Sequence, residues 1–479
     1  MDQDELLAVI DQANQTGQTH LDLSNQRIDH LPAEIGQLNA LQSLDLSRNR
    51  IQTIPEAIGQ LDNLTSLNLH SNYFPTLPTS IGQLTKLITL DLGDIPQLQT
   101  LPASITQLGN LRAFTWSNSS RDDLSLYLDL ISQLINLTSL DLSRNTFLQR
   151  LPESLGQLIN LESLRLDFNY HLHRLPASIG NLQKLKSLSL QGTKLETLPT
   201  STAKLKHLTS LVCNTRTTGE MSTALATIRH LPQLHTLVLE ARTHDQASTD
   251  PAWLEPISAM RHLRSLTFWR SPLTHLPASI SELSHLESLD LRFSTLTALP
   301  ASIGQLKQLQ SIDARGNCLT ELPDSISQLS HLTSLNLSSN QLTHLPESIG
   351  QLQHLTRLNL SHNQLTRLPD SIGELTSLTH LNLSHNKLTR LPDSIGQLTN
   401  LVSLTLTSNQ LPLIPEAIGN LKQLKTLKIT RNQLTQLPAS LAQLPNLAML
   451  TVSSNNFHLA PEIARKRTPK LILAALGQS

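Results

Sequence analysis

Residues 332–354, "LTSLNLSSNQLTHLPESIGQLQH", decide the fold, because residues 355–377, "LTRLNLSHNQLTRLPDSIGELTS", nearly copy them. In the first copy Leu335-Asn336-Leu337 alternates apolar and polar, which is the period of a strand. The apolar spacing then widens to three and four residues through Leu342, Leu345, Ile349 and Leu352, which suits a short helical turn. Pro346 can open that turn because no N–H is needed there. Gly350 suits either tight packing or a left-handed exit. One copy cannot bury its own leucines, whereas stacked copies share a continuous apolar column.

The strand leucine recurs at 21, 44, 67, 90, 140, 164, 188, 211, 237, 266, 289, 335, 358, 381, 404, 427 and 450, with Phe114 and Ile312 standing in, which makes 19 units. Asn340 falls where the strand turns away from the sheet, and Asn317, Asn363, Asn386, Asn409, Asn432 and Asn455 hold the same place. A carboxamide carries donors and an acceptor together, so these residues are expected to satisfy buried backbone groups as a ladder between neighbouring coils.

The remaining composition excludes several functions. The chain has 479 residues, with Lys+Arg 36 against Asp+Glu 37, so it lacks the basic footprint of a nucleic-acid binder. Aromatics are 3% of residues, too few for stacking platforms throughout. Cys213 and Cys318 are the two cysteines, which excludes a disulfide framework and disfavours a thiolate metal site. The start, "MDQDELLAVIDQ", lacks the layout of a signal peptide, and no apolar run approaches the ~18 residues of a membrane span. A cytoplasmic location is the expectation.

The pattern L-x-x-L-x-L-x-x-N-x-L resembles the leucine-rich repeat, over nearly the whole chain. The "LPxSIGxL" segment resembles the short-repeat intracellular branch, which includes Ras-linked scaffolds, plant intracellular homologues and the repeat domains of Roco proteins. The resemblance implies an α/β solenoid, with a curved parallel β-sheet on the concave face and short helices or turns on the convex face. On this reading residues 1–18 form an N-terminal capping helix, with Leu6, Leu7 and Ile10 on one face and Gly17 as its stop. Residues 19–461 form the array, irregular over 111–265, and 462–479 close it. The chain would then be complete, with no G-x-x-x-x-G-K-[ST] segment of the kind a Roco GTPase domain would bring.

Departures from the repeat are where specificity can be written. Residues 115–134 replace the Leu-Pro turn with a longer helix carrying Leu124, Leu128 and Ile131. Residues 212–264 lose the Leu-Pro turns and include a polar excursion at 241–252, either a tolerated surface loop or a partner contact. Most outward strand positions hold Ser, Thr, Asn or Asp. The middle of the array differs, with Arg165, Asp167, Phe168 and Tyr170, then Glu240, then Trp269 and Arg270, then Arg292 and Phe293, then Arg315. Strands lie ~4.8 Å apart, so Trp269, Arg292 and Arg315 form one column. Exposed Trp, Tyr and Arg dominate protein interfaces. The competing reading is a surface charge ladder, because Asp290 and Asp313 precede the two arginines by two residues. Phe114, Trp116 and Phe268 occupy inward positions and belong to the core. His362 and His385, with His380 near, read as a solvated pair left by repeat duplication rather than a metal site.

No H-E-x-x-H, G-x-S-x-G or glycine-rich phosphate loop occurs, and no catalytic residue, metal site or cofactor is expected. The expected function is non-catalytic scaffolding: binding a protein partner on the concave face, with a small GTPase or signalling complex as the partner class the resemblance implies. The alternative is a secreted bacterial effector that captures a host protein, and a hidden enzyme is the third.

Overall fold

The computed structural model describes residues 1–118, 124–215, 218–241, 251–271, 273–457 and 468–475. They fall into two units, Met1–Glu240 and Ala241–Ser479. The sequence expectation for the 241–252 excursion therefore lies largely outside the described residues, as do parts of the closing segment.

Each unit repeats one coil. In the coil beginning at Leu332, the strand Ser334–Asn336 is followed by a turn and then by a short 3₁₀ helix, Glu347–Gln351. Pro346 stands immediately before that helix with φ −67° and ψ 147°, and its carbonyl accepts the N–H of Ile349 at 3.1 Å. The segment is 3₁₀ rather than α because only five residues are available before the chain must return to the next strand. Gly350 takes the tight-packing role: a Cβ there would sit 2.5 Å from the Ser371 carbonyl oxygen of the next coil.

The first unit carries parallel strands from His20–Asp22 to Thr236–Ala241, and the second from Ser265–Trp269 to Met449–Thr451. The described residues hold the 19 strands expected from the repeat, and within each unit neighbouring strands pair in register, with Leu44 opposite Leu67 in the first and Leu335 opposite Leu358 in the second. In both units the sheet lines one side and the 3₁₀ segments the other. Leu335, Leu337, Leu342, Ile349 and Leu352 are all buried between them. Each such side chain contributes about 1.5–3 kcal/mol on burial.

The asparagine ladder forms as read. Oδ1 of Asn340 accepts the N–H of Leu319 at 3.0 Å, and its Nδ2 donates to the carbonyls of Ala314 and Leu337 at 2.9 and 3.0 Å. Asn49, Asn72, Asn145 and Asn169 hold equivalent places in the first unit. Thr193 substitutes once, donating to Leu190 O at 2.9 Å.

The helix Gln3–Gln15 opens with a capping box between Asp2 and Glu5 and buries Leu6, Ile10 and Ala13. Leu7 is only half-buried, and Gly17 follows the helix with φ +62°. Leu124, Leu128 and Ile131 are buried as expected, on a 3₁₀ turn and a four-residue α-helix rather than one longer helix. Phe114, Trp116 and Phe268 are core. A helix at Pro469–Ala475 buries Ile472 and Leu473. Among the described residues no helix is long and apolar enough to cross a membrane.

Candidate functional site

Every coil ends its strand in the same way, and this fixes where the candidate side chains stand. The residue after the strand leucine is usually Asp or Asn, and its Oδ1 accepts the N–H two residues on, as Asn336 does from Ser338 at 3.2 Å. One residue further on, the chain enters the left-handed region: Arg144, Phe168, Arg270, Phe293, Ser339, His362 and His385 all have φ between 52° and 62°. Non-glycine residues rarely adopt this conformation.

In the first unit, Arg165 is exposed at the end of the strand Ser163–Arg165, 3.1 Å from Asp141 and 3.4 Å from Asp167. Phe168 and Tyr170 lie beyond the strand. The Phe168 ring covers Gly192 of the next coil, where a Cβ would be 2.7 Å from its Cδ1. The Arg144 guanidinium stands 5.4 Å from the same ring, and Tyr170 is 6.4 Å from it and 40% exposed. These three side chains, with Asn118 and Thr146, line a cavity of about 280 Å³.

Two residues from the expected surface are corrected. Asp167 is 5% exposed, because its Oδ1 is engaged by Ser189 Oγ at 2.5 Å and Gln191 N at 2.9 Å, tying one coil to the next. Glu240 is 2% exposed within the six-residue strand Thr236–Ala241. Neither carboxylate presents itself to a partner.

In the second unit, Trp269 ends the strand Ser265–Trp269, and the register that sets Thr267 opposite Asp290 carries Trp269 to Arg292 and Arg292 to Arg315. The column exists, but its arginines are engaged. Arg292 Nε lies 2.8 Å from both Asp290 oxygens and its Nη2 is 2.7 Å from Oδ2, and this bonding raises the guanidinium pKa further. Arg315 is 3.7 Å from Asp313, an ion pair without a hydrogen bond, and burial pushes the Asp313 carboxyl up. The charge-ladder reading therefore describes Arg292 and Arg315. The exposed members are Arg270, with its guanidinium 4.9 Å from the Trp269 ring, and Phe293, 51% exposed. Phe293 repeats the Phe168 arrangement: its ring covers Gly316, 2.6 Å from where a Cβ would be, and Arg315 stands 5.6 Å from it. Phe168, Arg270 and Phe293 thus stand on the turn edge rather than the flat sheet face, because the left-handed residue has already left the sheet.

His362 and His385 stack with ring centroids 4.1 Å apart, and desolvation, then His362, lowers the His385 pKa. Among the described residues no group of three or more His, Cys, Asp or Glu could hold a metal ion. Sequence reading missed Phe147, 44% exposed and stacked on His171 at 5.8 Å. The signal was present: the two lie one coil apart in equivalent loop positions.

The arrangement of coils is matched by models for a leucine-rich repeat region at residues 19–141, 152–249, 237–337 and 322–412, and for leucine-rich repeats at 136–158 and 413–457. The chain belongs to the leucine-rich repeat family. A solved leucine-rich repeat protein of Leptospira interrogans is 31% identical over 98% of this chain and 97% of its own, with a TM-score of 0.63. The leucine-rich repeat ectodomain of the Arabidopsis receptor kinase HAESA, solved with an N-terminally extended IDA peptide hormone, is 25% identical over 95% of this chain and 76% of its own, with a TM-score of 0.54. The plant peptide hormone receptor RGFR1, solved with RGF2, shares the fold at 24% identity over 92% and 86%, with a TM-score of 0.51. No curated protein matches the chain. Leucine-rich repeats generally mediate protein–protein interaction.

Proposed function

We propose that this leucine-rich repeat chain is a non-catalytic scaffold that grips a protein partner through aromatic anchors on its turn edges. The observation that carries the reading is the repeated device at Phe168 and Phe293: a ring fixed over a glycine, flanked by an arginine, and accessible. Such a side chain loses little entropy on binding and offers both an apolar face and a cation. Tyr170, and Trp269 with Arg270, extend the same chemistry in their respective units. A small GTPase or another signalling protein is the partner class implied by the Ras-linked resemblance. A cytoplasmic setting is part of the reading, supported by two cysteines that are both free.

Affinity capture from lysate with the intact chain and with Trp269→Ala/Phe293→Ala tests it, with circular dichroism as the folding control. A partner retained by the first and lost by the second supports the reading. Equal recovery moves the contact off the second unit, and Phe168→Ala/Tyr170→Ala then tests the first. The other reading is a secreted bacterial effector that captures a host protein. Detection of the chain in culture supernatant, without lysis, would decide for it.

A further inference from the structure

A shallow groove of about 360 Å³ runs across four strands of the second unit, from Ser334–Asn336 to Ser403–Thr405. Asn336, Asn359 and Asn382 stand in register along it, with Arg357 and His380 beside them. Each asparagine Oδ1 is occupied: it accepts the N–H of Ser338, Ser361 or Ser384 at 3.1–3.2 Å and the hydroxyl of the same serine at 2.8–2.9 Å. A backbone N–H only donates, so the atom facing it must be the amide oxygen, and the NH₂ group is left on the outer side. No described residue accepts from any of these three NH₂ groups or from the Arg357 guanidinium, and none of the groove-lining residues is Asp or Glu.

Earlier in the same unit this position has the opposite polarity. Asp290 and Asp313 make the same turn with Oδ1, to the N–H of Arg292 and Arg315, and present Oδ2 to those arginines. The change from Asp to Asn after residue 313 converts the outer atom from acceptor to donor and removes the carboxylate that would neutralise Arg357. A half-buried row of donors beside an uncompensated cation fits a ligand that supplies acceptors and negative charge.

We infer that the strands from Ser334–Asn336 to Ser403–Thr405 recognise an extended acidic peptide, with a carboxylate on Arg357 and the peptide's carbonyl and carboxylate oxygens accepting from Asn336, Asn359 and Asn382. Three neighbouring strands span about 10 Å, the reach of three extended residues. This surface is separate from the aromatic anchors, and the inference does not rest on them.

The test is fluorescence anisotropy of a labelled oligoglutamate peptide with the full chain at low salt, with oligoglutamine of equal length as the neutral control. Saturable binding of oligoglutamate alone is expected. Arg357→Gln should weaken it roughly tenfold or more, the effect of losing one charge-assisted contact. Asn336→Asp/Asn359→Asp/Asn382→Asp should abolish it with the fold intact, since each Asp can keep the serine turn as Asp45 does to Ser47 and Asp141 to Ser143. Should that variant fail to fold, Arg357→Gln, at an exposed side chain, decides alone. Trp269→Ala/Phe293→Ala should bind as the parent does, which separates this result from the scaffold reading. The inference is overturned by absence of saturable binding, by equal binding of oligoglutamine, by undiminished binding in Arg357→Gln, or by displacement with inorganic phosphate at the peptide's own concentration.

Discussion

Replacing Asn363 with alanine tests how the coils are held together. Oδ1 of Asn363 accepts the N–H of Leu342 at 3.0 Å, and Nδ2 donates to the carbonyls of Leu337 and Leu360 at 2.9 and 3.1 Å. Nδ2 also reaches Ser361 O at 3.4 Å, a carbonyl that keeps the N–H of Ser339 at 2.8 Å, and the losses are unequal. Leu337 O also accepts from Asn340 Nδ2 at 3.0 Å, and Leu360 O from Asn386 Nδ2 at 2.9 Å, so each carbonyl keeps one partner. Only the Leu342 N–H is orphaned in a buried place, which costs about 1–3 kcal/mol, and two weakened carbonyls add about 1 kcal/mol. The expected total is about 2–4 kcal/mol, read as faster hydrogen exchange in a peptide spanning Leu342 and as a lower urea midpoint. Shared carbonyls also predict coupling. Asn340→Ala with Asn363→Ala strips both amides from Leu337 O, so the double variant should be worse than the sum by about 0.5–3 kcal/mol. Asn340→Ala with Asn432→Ala should add, because their carbonyl partners differ, Ala314 and Leu337 against Leu406 and Ile429. A cost below about 1 kcal/mol for Asn363→Ala, or additivity in both pairs, would refute this account of the ladder.

Gly316→Ala should destabilise by about 1–2 kcal/mol from its φ of +70° alone, and by more while Phe293 covers it; adding Phe293→Ala should recover the excess in urea unfolding. Glu56, Glu153 and Glu416 each receive two N–H groups from the next 3₁₀ segment, and those bonds hold their carboxyls below the ordinary 4.5. A lowered folded pKa gives stability that is present above 4.5 and lost as pH falls through the folded value, so the triple Gln variant should show a flatter acid limb in pH-dependent melts. Burial pushes the Cys213 thiol up to about 12, so a thiol reagent at neutral pH should modify half-buried Cys318 first and reach Cys213 only on unfolding; equal rates on the folded chain would contradict the packing around Cys213.

The legible part of the molecule was periodic. Strand positions, the ladder from Asn317 to Asn455 and the inward aromatics Phe114, Trp116 and Phe268 follow from spacing, because in a stacked coil the distance along the chain fixes the face. Candidate partner residues were less legible. Asp167 and Arg292 look like surface charges in a strand pattern, yet each is spent on its neighbours, Asp167 on Ser189 and Gln191, Arg292 on Asp290. Their partners lie two residues away or one coil on, and residue type alone does not say which contact forms.

The sequence by itself determined the coil, its number of copies and its shared core, since each copy's apolar spacing can be satisfied only by another copy. Tertiary structure decided the orientation of individual atoms. The left-handed turn moved Phe168 and Phe293 off the sheet and over Gly192 and Gly316. The serine N–H groups turned the NH₂ of Asn336, Asn359 and Asn382 outward, and the strand register set these three amides in one row beside Arg357. Which glycine a ring covers and which side chains share the groove are set by neighbours one coil away in the fold, and that is settled only when the coils stack.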